Sequence, residues 1–226
     1  MTMTLAPKLS VLPAAQRALW QELAQVPRHF VLYGGTAVAL QFGHRTSVDF
    51  DFFTTQPVNA DELMRSLPFL RGGKPVQVAA NTLDIEVTRA GGPVKVSFLG
   101  GLTYRRVRDP LPTEDRVMQV ASPLDLLATK LRTIWMRSQA KDFLDIDEML
   151  RQGVGLKEGL GAAYTVFGGE FNAHISLRAL GYFNDGDLPS LPLAVKDRLV
   201  KAVNAVIGEP LPEFPAMPGG ITATET

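Results

Sequence analysis

Two aspartates, Asp49 and Asp51, stand two residues apart in SVDFDFF, and a glycine pair, Gly34-Gly35, precedes them in FVLYGGTAV. Alternation over Ser47–Phe53 predicts a strand, so both carboxylates project from one face while Val48, Phe50 and Phe52 project from the other. That spacing separates the two acids by roughly 6–7 Å. Like charges so placed repel by roughly 0.6–2.5 kcal/mol at effective dielectrics from 80 down to 20. A divalent cation between them reverses the sign. The glycine pair follows a predicted strand, Phe30–Tyr33, and opens a predicted helix at Thr36, which offers backbone N–H groups to a phosphate. Each feature also has a plainer reading. Two glycines after a strand make an ordinary tight turn, and a solvated strand face carries acids. Together they bring phosphate-binding amides and a metal-binding pair to one sheet edge.

The elements that must position these residues are legible on both sides. Met1–Ser10 reads as a loose leader. Leu12, Leu19, Leu23 and Val26, with Trp20 beside them, recur at helical spacing until Pro27 stops the pattern. Thr36–Phe42 is a short alanine-rich helix ended by Gly43, and Val58–Leu67 is a helix with Asn59 as N-cap. Val76–Ala79 is a candidate strand. Thr82–Leu99 predicts a hairpin turning at Arg89–Gly92, with Val87 opposite Val94, Glu86 opposite Lys95, Ile85 opposite Val96 and Asp84 opposite Ser97. A slip of one residue would set charges against Val and Ile. Ser122-Pro123 with Asp125 marks a strong helix start, and KDFLDIDEMLRQ continues the helical pattern to Gly153. Two short helices between Leu156 and Leu180 and another over Val195–Ile207 follow. The expected organisation is an α/β domain over residues 1–115, a helical domain over 116–207, and a flexible Pro/Gly-rich tail over 208–226.

Composition narrows the function classes. The chain of 226 residues has no cysteine, which removes disulfides, zinc–thiolate sites and thiol nucleophiles. Formal net charge is zero, so no global positive field marks a nucleic-acid binder. His44 and His174 lack metal-ligand spacing, and no Gly-x-Ser-x-Gly occurs. Arg105, Arg106 and Arg108 form a short basic run that reads either as a tRNA-facing patch or as a solvated loop. With no run approaching the ~20 apolar residues of a membrane span and no signal-peptide pattern, the expectation is a cytoplasmic protein without a membrane partner.

The stretch YGGTAVALQFGHRTSVDFDFF resembles the start of the nucleotidyltransferase fold, in which a Gly-Gly or Gly-Ser pair, a spacer and an acid-x-acid strand follow one another. It is similar in particular to the AbiEii/AbiGii toxin family, with PVKVSFL, LLATKL, KDFLDI and ALGYFND falling where that family has similar segments. The resemblance covers Phe30 to Asp187. It implies a mixed sheet flanked by helices, followed by a helical C-terminal domain that completes a cleft. It further implies transfer of a nucleoside monophosphate from an NTP to a hydroxyl of tRNA or protein, by the toxin of a toxin–antitoxin or phage-defence pair with a cognate antitoxin.

Under the resemblance, Asp49 and Asp51 hold Mg²⁺ or Mn²⁺, and Gly34, Gly35 and Thr36 meet the phosphates. Arg45 neutralises a phosphate, or else is a surface arginine paired with a local acid. Lys130 is assigned to the nucleotide, and Lys141 and Asp142 to the site, with Asp145 one turn on. Lys130 and Lys141 are eleven residues apart, about three turns, so one continuous helix would align them and a break near Ser138-Gln139 would not. The plainer reading of Lys141 and Asp145 is an i,i+4 pair worth roughly 0.2–0.5 kcal/mol. One departure stands out. Where many nucleotidyltransferases carry a third acid, this chain has Ser97, and Asp84 lies across from it in the predicted register. Either Asp84 supplies that carboxylate, or the site works with two acids and Asp142. The alternative function is a catalytically degenerate module of the same fold that binds nucleotide or a partner.

Overall fold

The computed structural model describes residues 3–222, and these divide into two compact units. One unit runs up to Tyr104 and adds Asp109–Ser122 and the segment from Pro218 on; the other comprises Arg105–Arg108 and Pro123–Met217. Among the described residues no helix is long and apolar enough to cross a membrane.

The first unit is built on a mixed seven-stranded sheet. Its strands are β1 (Val31–Tyr33), β2 (Asp49–Phe53), β3 (Lys74–Ala79), β4 (Thr82–Arg89), β5 (Gly92–Leu99), β6 (Leu111–Pro112) and β7 (Gln119–Val120), in the order β3-β4-β5-β2-β1-β7-β6. β2 runs antiparallel to β1 and parallel to β5. The hairpin β4–β5 has the register that charge and apolar patterning require, Val87 on Val94 and Asp84 on Ser97. One sheet face is dry: Phe50, Phe52, Leu83, Ile85, Val96 and Phe98 are all fully buried. Phe52 and Phe98 stack there with centroids 5.5 Å apart. Against the sheet lie α1 (Ala14–Leu19), carrying Ala15 and Leu19 inward, and α2 (Gly34–Phe42), whose residues from Thr36 to Leu40 are buried. α3 (Ala60–Ser66) is capped by Asn59, whose Oδ1 accepts from the Glu62 N–H at 3.1 Å.

Three features of this unit depart from the sequence reading. The first helix is shorter than its apolar pattern: Pro13 takes its N-cap, and from Trp20 to Gln25 the chain tightens into a 3₁₀ turn before Val26-Pro27. The expected loose leader is tied from Leu5 on. The Leu5 N–H donates to Pro112, the Glu114 N–H donates back to Leu5, and the Lys8 N–H donates to Leu40; Met1 and Thr2 lie outside the described residues. The Pro/Gly-rich tail is likewise held as far as Thr222, with Ile221 fully buried and Thr222 Oγ1 accepting from the Thr55 N–H at 2.9 Å. Ahead of Ile221, in the helical unit, the Thr165 hydroxyl donates to the Phe214 carbonyl at 2.8 Å and the Met217 N–H donates to Arg106 at 2.9 Å; residues 223–226 lie outside the described part.

The second unit packs α4 (Pro123–Met136), α5 (Ala140–Arg151), α6 (Leu156–Phe167), α7 (Ala173–Leu180) and α8 (Leu193–Val206). Residues 105–108 belong to it because the Asp125 carboxylate accepts from the Val107 and Arg108 N–H groups at 2.8 and 3.1 Å, and the Arg105 N–H donates to Val166. Arg106, one of the basic run, is buried rather than solvated, while Arg105 and Arg108 are exposed. α4 and α5 are separate helices broken at Arg137–Gln139, so Lys130 and Lys141 do not share one continuous face.

Candidate active site

The side of β2 opposite the phenylalanines is half-open and polar. Asp49 and Asp51 both lie on it, each half-buried. The pairing fixes their neighbours. Asp51 faces Tyr33 on β1 and Ser97 on β5, and Ser97 in turn faces Asp84 on β4. Asp49 faces Lys95, which faces Glu86. One row across the sheet is therefore Tyr33, Asp51, Ser97 and Asp84, and the row beside it is Asp49, Lys95 and Glu86. Tyr33 also stacks on Phe53, centroids 5.1 Å apart, which closes one end of this face.

The glycine turn meets β2 directly. Gly34 has φ +73, and a Cβ built on it would lie 2.5 Å from Oδ2 of Asp51. Only a residue without a side chain lets that carboxylate rest against the turn. A Cβ on Gly35 would collide with the Arg45 guanidinium, which donates to the Thr46 carbonyl at 2.9 Å. The helix α2 starts at Gly34, two residues earlier than its apolar pattern, and its N-cap, Tyr33, makes no side-chain cap. Backbone N–H groups of the first turn thus gather beside Asp51 and Arg45, where an anion is favoured. The Thr36 hydroxyl has other work. It is buried, donates to the Asp49 carbonyl, and lies 2.8 Å from Ser47 Oγ. Thr36 therefore locks the helix start onto β2, and what it offers a phosphate is its backbone N–H.

Asp84 shares the face with Asp49 and Asp51, but its carboxylate is engaged by Lys95, Nζ to Oδ2 at 3.0 Å. The backbones of Asp51 and Asp84 are two strand spacings apart, roughly 9–10 Å, with the buried Ser97 between them. Among the described residues, no group of three or more His, Asp or Glu is gathered to hold a metal ion. Asp49 and Asp51 remain a two-carboxylate donor set of the hard-oxygen kind that Mg²⁺ or Mn²⁺ takes alongside substrate oxygens and waters. Lys95 is more firmly protonated than an ordinary lysine; the Asp84 hydrogen bond is the largest cause, burial opposes it, and the charges of Asp84, Asp49 and Asp51 add to it.

In the helical unit, Lys130 is almost fully buried and bridges two acids, 2.6 Å from Asp142 Oδ1 and 2.6 Å from Asp145 Oδ2. Arg137 completes the cluster, its Nε 2.8 Å from Asp142 Oδ2 and Nη2 3.1 Å from Oδ1. Burial alone would raise the Asp142 carboxyl, but the hydrogen bonds and charges of Arg137 and Lys130 outweigh it and hold it below the usual aspartate range. This departs from the expected pairs: Asp145 binds Lys130 rather than Lys141, because α5 turns Asp145 inward and leaves Lys141 exposed.

Sequence reasoning passed over Lys95, Ser47 and Arg137. The hairpin register already placed Lys95 on the face of Ser97 and Asp84. What was missing was the parallel pairing of β2 with β5, a long-range contact with no local signature. Arg137 had a signal in the expected helix break, since a residue in a connection between two helices can turn back onto the first turn of the second.

Comparison with known proteins gives these observations a context. The family model described as nucleotidyl transferase AbiEii toxin, type IV toxin–antitoxin system, matches residues 17–215. An uncharacterized protein of Aquifex aeolicus (strain VF5) is 32% identical over 132 residues, which is 57% of this chain and 62% of that relative; the chain thus spans less than two thirds of its length. Among solved structures, the nucleotidyltransferase toxin MenT4 from Mycobacterium tuberculosis is similar with a TM-score of 0.59 at 15% identity, covering 85% of this chain and 82% of that one. A protein from H. pylori assigned as a nucleotidyltransferase is similar with a TM-score of 0.51 at 17% identity, covering 84% and 91%. At these identities the two structures speak for the fold, a mixed α/β architecture of the nucleotidyltransferase kind.

Proposed function

The chain belongs to the AbiEii nucleotidyl transferase toxin family, and from that premise we propose that it moves a nucleoside monophosphate from an NTP to a hydroxyl of tRNA or protein. The observation that carries the reading is the close fit of the glycine turn to Asp51, with Asp49 on the same strand face. Backbone N–H groups of Gly35 and Thr36 at the start of α2 hold the β- and γ-phosphates, and Arg45, lying over Gly35, offsets their charge. Asp49 and Asp51 hold Mg²⁺ or Mn²⁺, which when bound polarises phosphoryl oxygens and lowers the cost of developing charge. In the reaction a bond forms between the acceptor oxygen and the α-phosphorus, the bond to the β-phosphate oxygen breaks, and pyrophosphate leaves. For the hydroxyl proton we propose Asp49 or Asp51 as the acceptor, since Asp84 is bound to Lys95.

For the helical unit, the proposal gives Lys130 and Asp142 the task of fixing α4 against α5, with Arg137, whose side chain is 44% exposed, as the cation of that cluster turned to solvent. Lys141 lies exposed on α5. The toxin role implies a cognate antitoxin, which falls within the same proposal.

A second reading has one observation in its favour. Ser97 replaces a third acid and Asp84 is neutralised, so the fold is compatible with nucleotide binding without turnover. One experiment separates the two. The purified chain is incubated with each of four labelled NTPs, Mg²⁺ or Mn²⁺, and total tRNA or lysate protein. The enzyme reading expects label in one acceptor class, lost in Asp49→Ala. Binding of an NTP with no transferred label favours the second reading.

A further inference from the structure

We infer that Lys95, anchored by Asp84, is a fixed cation that stands in for a second divalent ion, so that this site takes a single metal. The inference rests on the nucleotidyl-transfer proposal and concerns the same strand face. Its basis is the register. Lys95 belongs to the row of Asp49, yet its ammonium lies 3.0 Å from the Asp84 carboxylate, which belongs to the row of Asp51 and Ser97. The side chain therefore leans diagonally from β5 toward Asp84 on β4, passing beside Ser97. Beside it, in the row of Asp51, stands a neutral, buried serine and not a third carboxylate. With Asp49 and Asp51 as the remaining acids, the face holds charge for one divalent ion, and the ammonium supplies positive charge toward a triphosphate on its other side.

This arrangement joins two departures that otherwise look unrelated. Without a third acid the face lacks a ligand set for a second ion, and the Lys95 ammonium, held by Asp84, is the fixed cation beside the two remaining acids. Asp84 is then a positioning residue acting through Lys95, not a metal ligand. Lysine at this place is long enough to reach Asp84 while remaining 39% exposed, so the ammonium stays open to a phosphate.

The test reads metal binding directly, by Mn²⁺ electron paramagnetic resonance titration of the full chain, with NTP affinity measured alongside. The unsubstituted chain should bind one Mn²⁺. Removing one positive charge in Lys95→Met should tighten that ion about three- to tenfold, as expected for a unit charge near a divalent ion at solvent-like dielectric, and should weaken NTP binding. Lys95→Arg should restore both values. Asp84→Asn should weaken NTP binding while leaving Mn²⁺ affinity within about twofold of the unsubstituted chain, because the cation stays but loses its anchor. Thermal melts of each variant confirm folding. Two Mn²⁺ ions bound by the unsubstituted chain, or Mn²⁺ affinity unshifted in a folded Lys95→Met, overturns the inference while the proposed function stands. An unsubstituted chain that binds neither Mn²⁺ nor any NTP overturns both.

Discussion

Gly34→Ala is the sharpest probe of how the turn and β2 cooperate. At φ +73 an alanine costs about 1–2 kcal/mol in the left-handed region. The stiffer unfolded chain offsets about 0.4–1 kcal/mol of that, so the fold should lose about 1 kcal/mol. The larger effect is local. The new methyl would lie 2.5 Å from Oδ2 of Asp51, and a carboxylate at the end of a side chain gives way more easily than the sheet behind it. Asp51 must rotate off the turn, and the site should then behave as Asp51→Ala does. Gly43→Ala is the matched control: φ is +74, and the new methyl would meet only the flexible Lys8 side chain. Urea unfolding should show similar small losses for both variants. Mn²⁺ binding and label transfer should fall more than tenfold in Gly34→Ala alone. Near-normal transfer in Gly34→Ala, or an equal loss in Gly43→Ala, would refute the reasoning.

Other outcomes follow from the same geometry. Asp51→Ala should abolish Mn²⁺ binding with less than about 1 kcal/mol of destabilisation, since it relieves repulsion from Asp49; global unfolding in circular dichroism would count against the site. Asp142→Ala removes one of the two acids that hold the buried Lys130 and the carboxylate that Arg137 binds, and should cost about 3–5 kcal/mol in urea melts; a loss below about 1 kcal/mol would contradict the network. The same carboxyl predicts a pH dependence. Its folded pKa lies below the unfolded value, so its stabilisation is fully present above about pH 4 and is lost as pH falls through the depressed folded value. The stability gap between the unsubstituted chain and Asp142→Asn should be level from neutrality down to about pH 5 and narrow below about 4; a gap that widens on acidification would contradict the sign. A chain ending at Met217 loses the buried Ile221 and the Thr222 bonds to Thr55, and its melt should shift by up to about 1.5–3 kcal/mol of lost burial.

The residues proposed to do chemistry stand out in the sequence because their signals are local. A glycine pair after a strand, acids at strand spacing and a hairpin with complementary charges each follow from backbone periodicity. The hairpin register was fixed by patterning alone, down to Asp84 opposite Ser97. What local pattern does not carry is strand order. The parallel β2–β5 pairing puts Lys95 beside Asp49, while within the hairpin Lys95 reaches diagonally to Asp84 and not to Glu86 directly across from it. The inward turn of Lys130 toward Asp142 and Asp145 was hidden for a related reason: a lysine in a helical stripe reads the same whether it meets solvent or buried acids. The tail's attachment was masked by composition, since scattered contacts such as the buried Ile221 and the bonds of Phe214, Met217 and Thr222 leave no periodic pattern.

The central claim is that Asp49, Asp51 and the Gly34-Gly35 turn catalyse transfer of a nucleoside monophosphate. It is tested most directly by comparing NTPs labelled at the α- and γ-phosphates in the presence of Mn²⁺ and total tRNA or lysate protein. The account predicts that α-label enters an acceptor while γ-label is released as pyrophosphate, and that Asp49→Ala and Asp51→Ala abolish the α-transfer. Transfer of γ-label, or α-transfer that survives loss of both aspartates, would contradict it.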